Sequence, residues 1–430
     1  MTEKRDKPKL TRREFLGKSL RTAGAVTAGA ALPYFVPAKA LGADGVGPND
    51  KIAMGFIGVG GMGSGHLGGF VHNPRVKVLA VCDVYEPHRS RAQARVGEGC
   101  AAYNDYRELL DRDDIDAVVI ATPDHWHALT SIHACQAGKD IYCEKPLSLT
   151  IEDGRAMVDA VRRYGRVFQT GSQQRSDDNF RFACELVRSG RIGKLHTVRS
   201  GIGGGPTSGW DPDTDPPPGL DWNMWLGPAP WVPFNPQRCI YNFRWFWEYS
   251  GGKMTDWGAH HNDIAQWGMG TERTGPIRVT PVRATFPTDG LYETATSFEI
   301  ACEYANGVTL ITSSDGHGAR FEGPDGWVHV DRGFLDASPK ELLEEKLGPG
   351  DVHLYRSPGH HEDWLNCIET RERPICDVEI GYKSIVVCHL ENIAIRTGRT
   401  LHWDPDKERF VNDEEANRWI SKPYRAPWHL

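Results

Sequence analysis

Residues 52–63, IAMGFIGVGGMG, constrain this chain more than any other stretch. They read as a short apolar strand running straight into Gly58-x-Gly60-x-x-Gly63. Gly58 allows the tight turn off the strand, and Gly60 lets bare backbone approach a pyrophosphate. Gly63 permits close packing of the next helix, whose N-terminal amides, with Gly61 and Met62 in the same turn, favour an anion. A second apolar run over 76–82, VKVLAVC, ends on Asp83, twenty residues past Gly63. A carboxylate at that point accepts the hydroxyls of an adenosine ribose and repels a 2′-phosphate, so NAD is expected in preference to NADP.

The alternation then continues as a doubly wound parallel sheet requires. Helices are expected over 89–96, 105–110, 128–137 and 151–164, and strands over 115–121, 140–143 and 167–170. This sets a dinucleotide-binding domain over residues 50–172. Residues 173–400 change character: a helix over 180–189 and a strand over 196–200 precede a Gly-, Pro- and Trp-rich stretch over 201–249. Irregular segments of that length in ordered domains are usually functional. Strands over 278–286, 294–304, 309–314 and 326–330 and helices over 361–370 and 381–397 suggest an α+β domain with an open, mainly antiparallel sheet. Residues 401–430 read as a C-terminal extension.

The N-terminus carries Arg12-Arg13 followed by Phe15 and Leu16, a mildly apolar Ala/Gly-rich run, and Ala38-Lys39-Ala40. That order fits a twin-arginine export signal over residues 1–40, and hence a periplasmic or otherwise exported protein. The apolar run is too short for a membrane span. Residues 1–40 hold nine Lys/Arg and three Asp/Glu; against a whole-chain charge of −7 this leaves −13 for the remainder. So acidic a remainder argues against nucleic acid and anionic lipid as partners. The ten cysteines are scattered without metal-type spacing, and no essential disulfide is expected.

GVGGMG, Cys82-Asp83-Val84, ATPDHWH (121–127), EKP (144–146) and GGKMTDWGAHHNDIAQW (251–267) together resemble the Gfo/Idh/MocA oxidoreductases, from about residue 51 to the C-terminus. The resemblance implies a Rossmann domain followed by an open-sheet domain that supports dimers or tetramers. It places Thr122, Pro123, His127, Glu144 and Lys145 near the cofactor, gives Lys145 a catalytic role, and implies a cis peptide before Pro146. Asp256 and His260 match the family's D-x-x-x-H pair. Four apart on a helix, they share a face, so the carboxylate is expected to orient the imidazole and support its cationic form. Gln173, Arg175 and Asp263 are placed at the substrate.

Each site residue has a plainer reading. Lys145 could be a surface lysine fixed by Glu144, Asp256 an early-turn acid complementing the helix dipole, and His125–His127 a packed aromatic turn. His261 leaves open which histidine is the base. His125, His127, His260 and His261 show no H-x-x-x-H or CxxC spacing, and no metal is expected. The loop tryptophans over 222–231 and residues 244–247 are candidates for stacking on sugar faces, although most tryptophans are core. Two enzymatic readings follow. One is an exported oxidoreductase that retains NAD and acts on a sugar, sugar acid or cyclitol. The other is a glycosidase working by transient oxidation, elimination and re-reduction. A non-enzymatic nucleotide sensor would not need Lys145, Asp256 and His260 together.

Overall fold

A computed structural model describes residues 51–430; the export signal expected over residues 1–40 lies outside them. The first half alternates strand and helix: β1 (Ile52–Ile57), α1 (Gly61–Phe70), β2 (Val76–Cys82), α2 (Glu86–Val96), β3 (Ala101–Tyr103), α3 (Tyr106–Leu110), β4 (Ala117–Ile120), α4 (Asp124–Gln136), β5 (Asp140–Cys143), α5 (Ile151–Tyr164) and β6 (Phe168–Thr170). The six strands pair in parallel in the order β3-β2-β1-β4-β5-β6. The order reverses between β1 and β4, which opens a crevice beyond their C-terminal ends. β4 and β5 are buried throughout, as strands covered on both faces must be. α5 shows why a helix forms where expected. The Thr150 hydroxyl accepts from the Asp153 N–H, Glu152 and Asp153 occupy the first turn, and Gly165 ends it in the left-handed conformation.

In the first half, two helix starts differ from the sequence reading by more than a residue. α2 begins three residues early because Pro87 suits its first turn. α4 begins at Asp124 rather than Ala128. His125, Trp126 and His127 therefore lie in its first turn instead of in a loop.

The second half contains α6 (Asp178–Arg188), β7 (Thr197–Ile202), α7 (Trp222–Leu226), α8 (Lys253–Asp256), α9 (Gly258–Met269), β8 (Arg278–Thr285), β9 (Ser297–Glu303), β10 (Thr309–Ser313), β11 (His317–Gly323), β12 (Gly326–Asp331), β13 (Phe334–Ser338), α10 (His360–Thr370), α11 (Val378–Thr397), β14 (Leu401–Asp404) and β15 (Arg409–Phe410). The nine strands are ordered β13-β12-β11-β7-β10-β9-β8-β14-β15. All neighbours are antiparallel except β7 and β10. Phe298, Ile300 and Cys302 on β9, and Leu310 and Thr312 on β10, point to the helical side, while the residues between them stay half-exposed. β14 pairs with β8 and β15 with β14, so residues 401–410 add two strands at the edge of the sheet.

Two features tie the halves together. On α10, Trp364, Leu365 and Cys367 pack with Met54, Phe56, Val119 and Tyr142, so a helix from the second half completes the core of the first sheet. The Trp-rich stretch has an aromatic core of its own, including Trp222, Trp225, Phe234, Phe246 and Tyr249. Its Trp222 and Trp225 stack at 4.8 Å and 16°. That stretch is fastened beside Asp83: the Asp221 N–H donates to Val84 O (3.0 Å), and the Glu86 N–H to Gly219 O (2.9 Å). All ten cysteines are buried and unpaired, and among the described residues no helix is long and apolar enough to cross a membrane.

Candidate active site

A cavity of about 740 Å³ occupies the crevice. Gly58, Gly60, Gly61, Met62 and Asp83 line it, followed by Thr122, Pro123, Glu144 and Lys145 from the first half and Gln173, Asp256 and His260 from the second. Gly58 turns the chain at φ +81°. A Cβ at Gly63 would stand 1.9 Å from Gly58 O, whereas one at Gly61 would meet no protein atom within 4 Å. The third glycine of the motif thus serves helix packing, and Gly61 leaves room for a ligand. α1 has no side-chain cap and no acid in its first turn, so its leading amides face the cavity unsatisfied. These features fit a dinucleotide pyrophosphate.

Asp83 braces this turn. Its Oδ2 accepts from the Val59 N–H at 2.9 Å, and its Oδ1 from the Tyr85 N–H at 2.9 Å. The carboxylate is held at the cavity wall, with His88 Nδ1 3.5 Å away.

At the other end, the Lys145 ammonium donates to Asp256 Oδ1 at 2.6 Å and to Asp256 O at 3.0 Å. The Lys145–Pro146 peptide is cis. Arg244 Nε lies 3.6 Å from the same Asp256 oxygen. Burial alone would raise the Asp256 carboxyl, but the Lys145 and Arg244 charges hold it below its ordinary value. Glu144, fully buried, accepts from His66 Nε2 (2.8 Å) and the Gln173 amide (2.9 Å), and His66 Nδ1 meets His361 Nε2 at 2.9 Å.

The expected Asp256–His260 pair does not form. Asp256 ends α8, and α9 starts only after Trp257, so the two residues do not share one continuous helix face. The carboxylate turns to Lys145 instead. His260 is buried at the cavity with Nδ1 unpartnered. Burial, and then the Lys145 and Arg332 charges, hold its imidazole well below its ordinary value. It is neutral at physiological pH, not the carboxylate-supported cation expected.

Three further residues differ from their expected placement. Arg175 and Asp263, expected at the substrate, form a bidentate ion pair at 2.7 and 2.8 Å, both almost fully buried and away from the cavity lining. Ser384 donates to the same carboxylate at 2.5 Å, so the pair ties the start of the second domain to α9 and α11. Replacing one partner leaves a buried charge uncompensated: Asp263→Asn should destabilise the fold by about 3–5 kcal/mol, read as a lower urea midpoint. His127, expected at the cofactor, is buried beneath the cleft. Its Nδ1 faces Pro146 O at 2.7 Å and its Nε2 faces Thr122 O at 2.9 Å. Both contacts require an N–H, so the ring is an imidazolium. Although burial opposes the charge, Cys143 and Asp124 raise it to about 9. His127 therefore holds the backbone on which Thr122 and Lys145 sit.

The four histidines considered for a metal are not gathered. His125 bonds Trp225 O, and His261 lies instead with His317 and Asp331. Arg332 and His66 were not read from the sequence. Arg332 lines the cavity from the tip of the β12–β13 hairpin, where no local pattern marks it. His66 lies three residues past Gly63, and that spacing is its one sequence signal.

A glycine-turn nucleotide cleft facing a Lys–Asp pair and a neutral histidine defines a two-domain, nucleotide-dependent oxidoreductase. Residues 52–172 match the model of the oxidoreductase family's NAD-binding Rossmann fold, and residues 211–430 that of its C-terminal alpha/beta domain. The chain belongs to the Gfo/Idh/MocA oxidoreductase family. It is 29% identical over 224 residues to the uncharacterized oxidoreductase YrbE of Bacillus subtilis, covering 52% of this chain and 55% of that protein. It is 34% identical over 201 residues to an alpha-N-acetylgalactosaminidase of Shewanella oneidensis, covering 43% and 44%. The chain spans about half the length of these curated relatives. Among solved structures, aldose-aldose oxidoreductase of Caulobacter crescentus, complexed with glycerol, superposes with a TM-score of 0.61 at 22% identity, covering 82% of this chain and 99% of that one. The WlbA dehydrogenase of Bordetella pertussis, in complex with NADH and UDP-GlcNAcA, gives 0.61 at 19% identity with the same coverage.

Proposed function

We propose that this protein is an exported oxidoreductase that keeps its NAD and moves a hydride to and from a hydroxyl-bearing carbon of a sugar, sugar acid or cyclitol. One observation carries the reading: a single cavity runs from the glycine turn and Asp83 to Lys145, Asp256 and His260. A bound nicotinamide supplies the hydride acceptor there. Lys145, fixed by Asp256, stabilises the developing alkoxide; neutral His260 accepts the hydroxyl proton from the cavity side. The position of Asp83 favours NAD over NADP. Retention is supported by the Trp-rich stretch, which is fastened beside Asp83 and contributes Leu220, Phe234 and Tyr241 to the same cavity. With NAD held in place, the hydride returns to a second carbonyl substrate or a partner, a cycle suited to the export implied by the N-terminus. The open face of the second sheet would join copies into dimers or tetramers.

The glycosidase reading draws support from the alpha-N-acetylgalactosaminidase relative, which aligns over part of the chain. In it, transient oxidation of a sugar hydroxyl acidifies a neighbouring C–H, the aglycone leaves by elimination, and water adds before reduction. Native mass spectrometry should find one NAD per chain in protein purified without added nucleotide; protein that carries and binds none ends both readings. Incubation with free sugars should then raise near-ultraviolet absorbance of the bound nucleotide. Release of the aglycone from aryl glycosides without added NAD selects the glycosidase instead.

A further inference from the structure

Helix α9 carries a second histidine that this chemistry leaves unused. His261 is fully buried, and neither ring nitrogen has a hydrogen-bond partner among the described residues. Buried imidazoles ordinarily satisfy at least one nitrogen, because losing hydration at both is costly. Polar groups nonetheless stand close by. Asp331, at the end of β12, places Oδ1 3.8 Å from His261 Nε2. His317, at the start of β11, places Nδ1 2.7 Å from Asp331 Oδ2. One ligating atom from each of the three lies within 4.8 Å of the others. His317 and Asp331 come from the paired strands β11 and β12, and His261 from α9, more than fifty residues earlier in the chain.

We propose that His261, His317 and Asp331 bind a divalent first-row transition ion, with Zn²⁺ the best fit. Two imidazoles and one carboxylate are donors such ions take, whereas Mg²⁺ and Ca²⁺ prefer all-oxygen sets. Zinc bonds of roughly 2.0–2.1 Å place tetrahedral ligands about 3.4 Å apart. The His261–Asp331 separation is already close to that. The His317–Asp331 pair must give up the hydrogen bond it shares and open slightly, the imidazole N–H moving from Nδ1 to Nε2 so that Nδ1 can take the ion. Three protein ligands leave a position for water on the half-exposed His317 side.

One of the three side chains is braced by its neighbours. Asp331 Oδ1 accepts from the Arg332 N–H at 2.7 Å, and His317 O lies 3.0 Å from His329 Nε2. Trp257 lies flat against His261, with ring centroids 5.5 Å apart and planes at 19°. Arg332 and Lys253 place cations over Trp257, at 4.8 and 5.7 Å, so with a single carboxylate the affinity expected is micromolar. Arg332 follows Asp331 and lines the cavity, and His260 precedes His261. The ion would fasten the β12–β13 hairpin to α9 behind the cavity wall, as a positioning site for Arg332 and His260. It rests on none of the proposed redox chemistry.

Untagged full-length protein, stripped with a chelator, is titrated with Co²⁺, whose visible absorption reports imidazole ligation, and then with Zn²⁺ in competition. One Co²⁺ per chain should bind and be displaced by Zn²⁺. His317→Ala and Asp331→Asn, both at partly exposed positions, should keep the far-ultraviolet dichroism and weaken binding at least tenfold, while His260→Ala leaves it unchanged. His261→Leu, which fills the slot without a ligand, should abolish binding and hold the melting temperature. The absence of a saturable Co²⁺ band overturns the site. So does binding that survives His317→Ala, or binding lost in His260→Ala but kept in Asp331→Asn.

Discussion

Lys145→Ala should lower turnover roughly 10³-fold or more while bound NAD stays at one per chain. Among the described residues the lysine is the one cation donating directly to Asp256 at the cavity, to both the side-chain and the backbone oxygen. It does not touch the glycine turn, and Asp83 keeps its two backbone donors without it. Chemistry and nucleotide retention should therefore separate. The variant also leaves Asp256, 8% exposed, with Arg244 and Lys253 as nearby cations but no direct donor among them, costing about 1–3 kcal/mol of stability. A pH signature distinguishes this from general damage. The Asp256 carboxyl is depressed in the folded state, so its contribution is present above the ordinary carboxylate range and lost as pH falls through the folded value. Removing Lys145 should shrink that acid-side loss. Normal turnover by Lys145→Ala would remove the lysine from the mechanism.

Gly63→Ala should destroy nucleotide binding and destabilise the fold by about 3 kcal/mol or more, whereas Gly61→Ala should not destabilise it. The two glycines are neighbours in the same turn, yet the first substitution drives a methyl to 1.9 Å from a backbone oxygen and the second meets nothing of the protein. Ala at Gly61 removes unfolded-chain freedom at the first position of α1, worth up to about 1 kcal/mol in its favour. Because Gly61 lines the cavity, its methyl should still weaken NAD. Thermal melts with and without NAD, read beside nucleotide content, separate the cases. Equal stability losses in the two variants would show that the turn is not packed as described.

The first domain was legible almost throughout because buried parallel strands write themselves as continuous apolar runs. β2, β5, β6 and α5 lie within a residue of their expected bounds. β11, β13 and β14 were not read: HGARFEG, FLDAS and LHWD lack an unbroken apolar or β-branched alternation, and they become strands because neighbours supply the ladder. Gly58, Gly60, Gly61, Met62 and Asp83 were legible at the cavity wall because a strand, a turn and a spacing fix them locally; Thr122, Pro123, Glu144 and Lys145 came with the family resemblance, and His66 and the buried placement of His127 escaped both. The second-domain residues were legible by identity but not by partner. D-x-x-x-H suggests a helical pair only while the helix is continuous, and the break at Trp257 sends Asp256 to Lys145. Arg175 and Asp263 satisfy each other from 88 positions apart, which no local pattern reveals. The His261–His317–Asp331 group is hidden for the same reason.

The docking of α10 bears on what can be cut from this chain. Trp364 fills a slot between Phe70 and Tyr142, at ring-centroid distances of 5.9 and 5.7 Å, although it lies almost two hundred residues beyond the last strand of that sheet. A fragment ending at residue 172 would present that slot to water as an aromatic-lined trough. Excising the nucleotide-binding half should therefore yield aggregates rather than a free-standing module, and the intact protein should lose both halves in one melting transition.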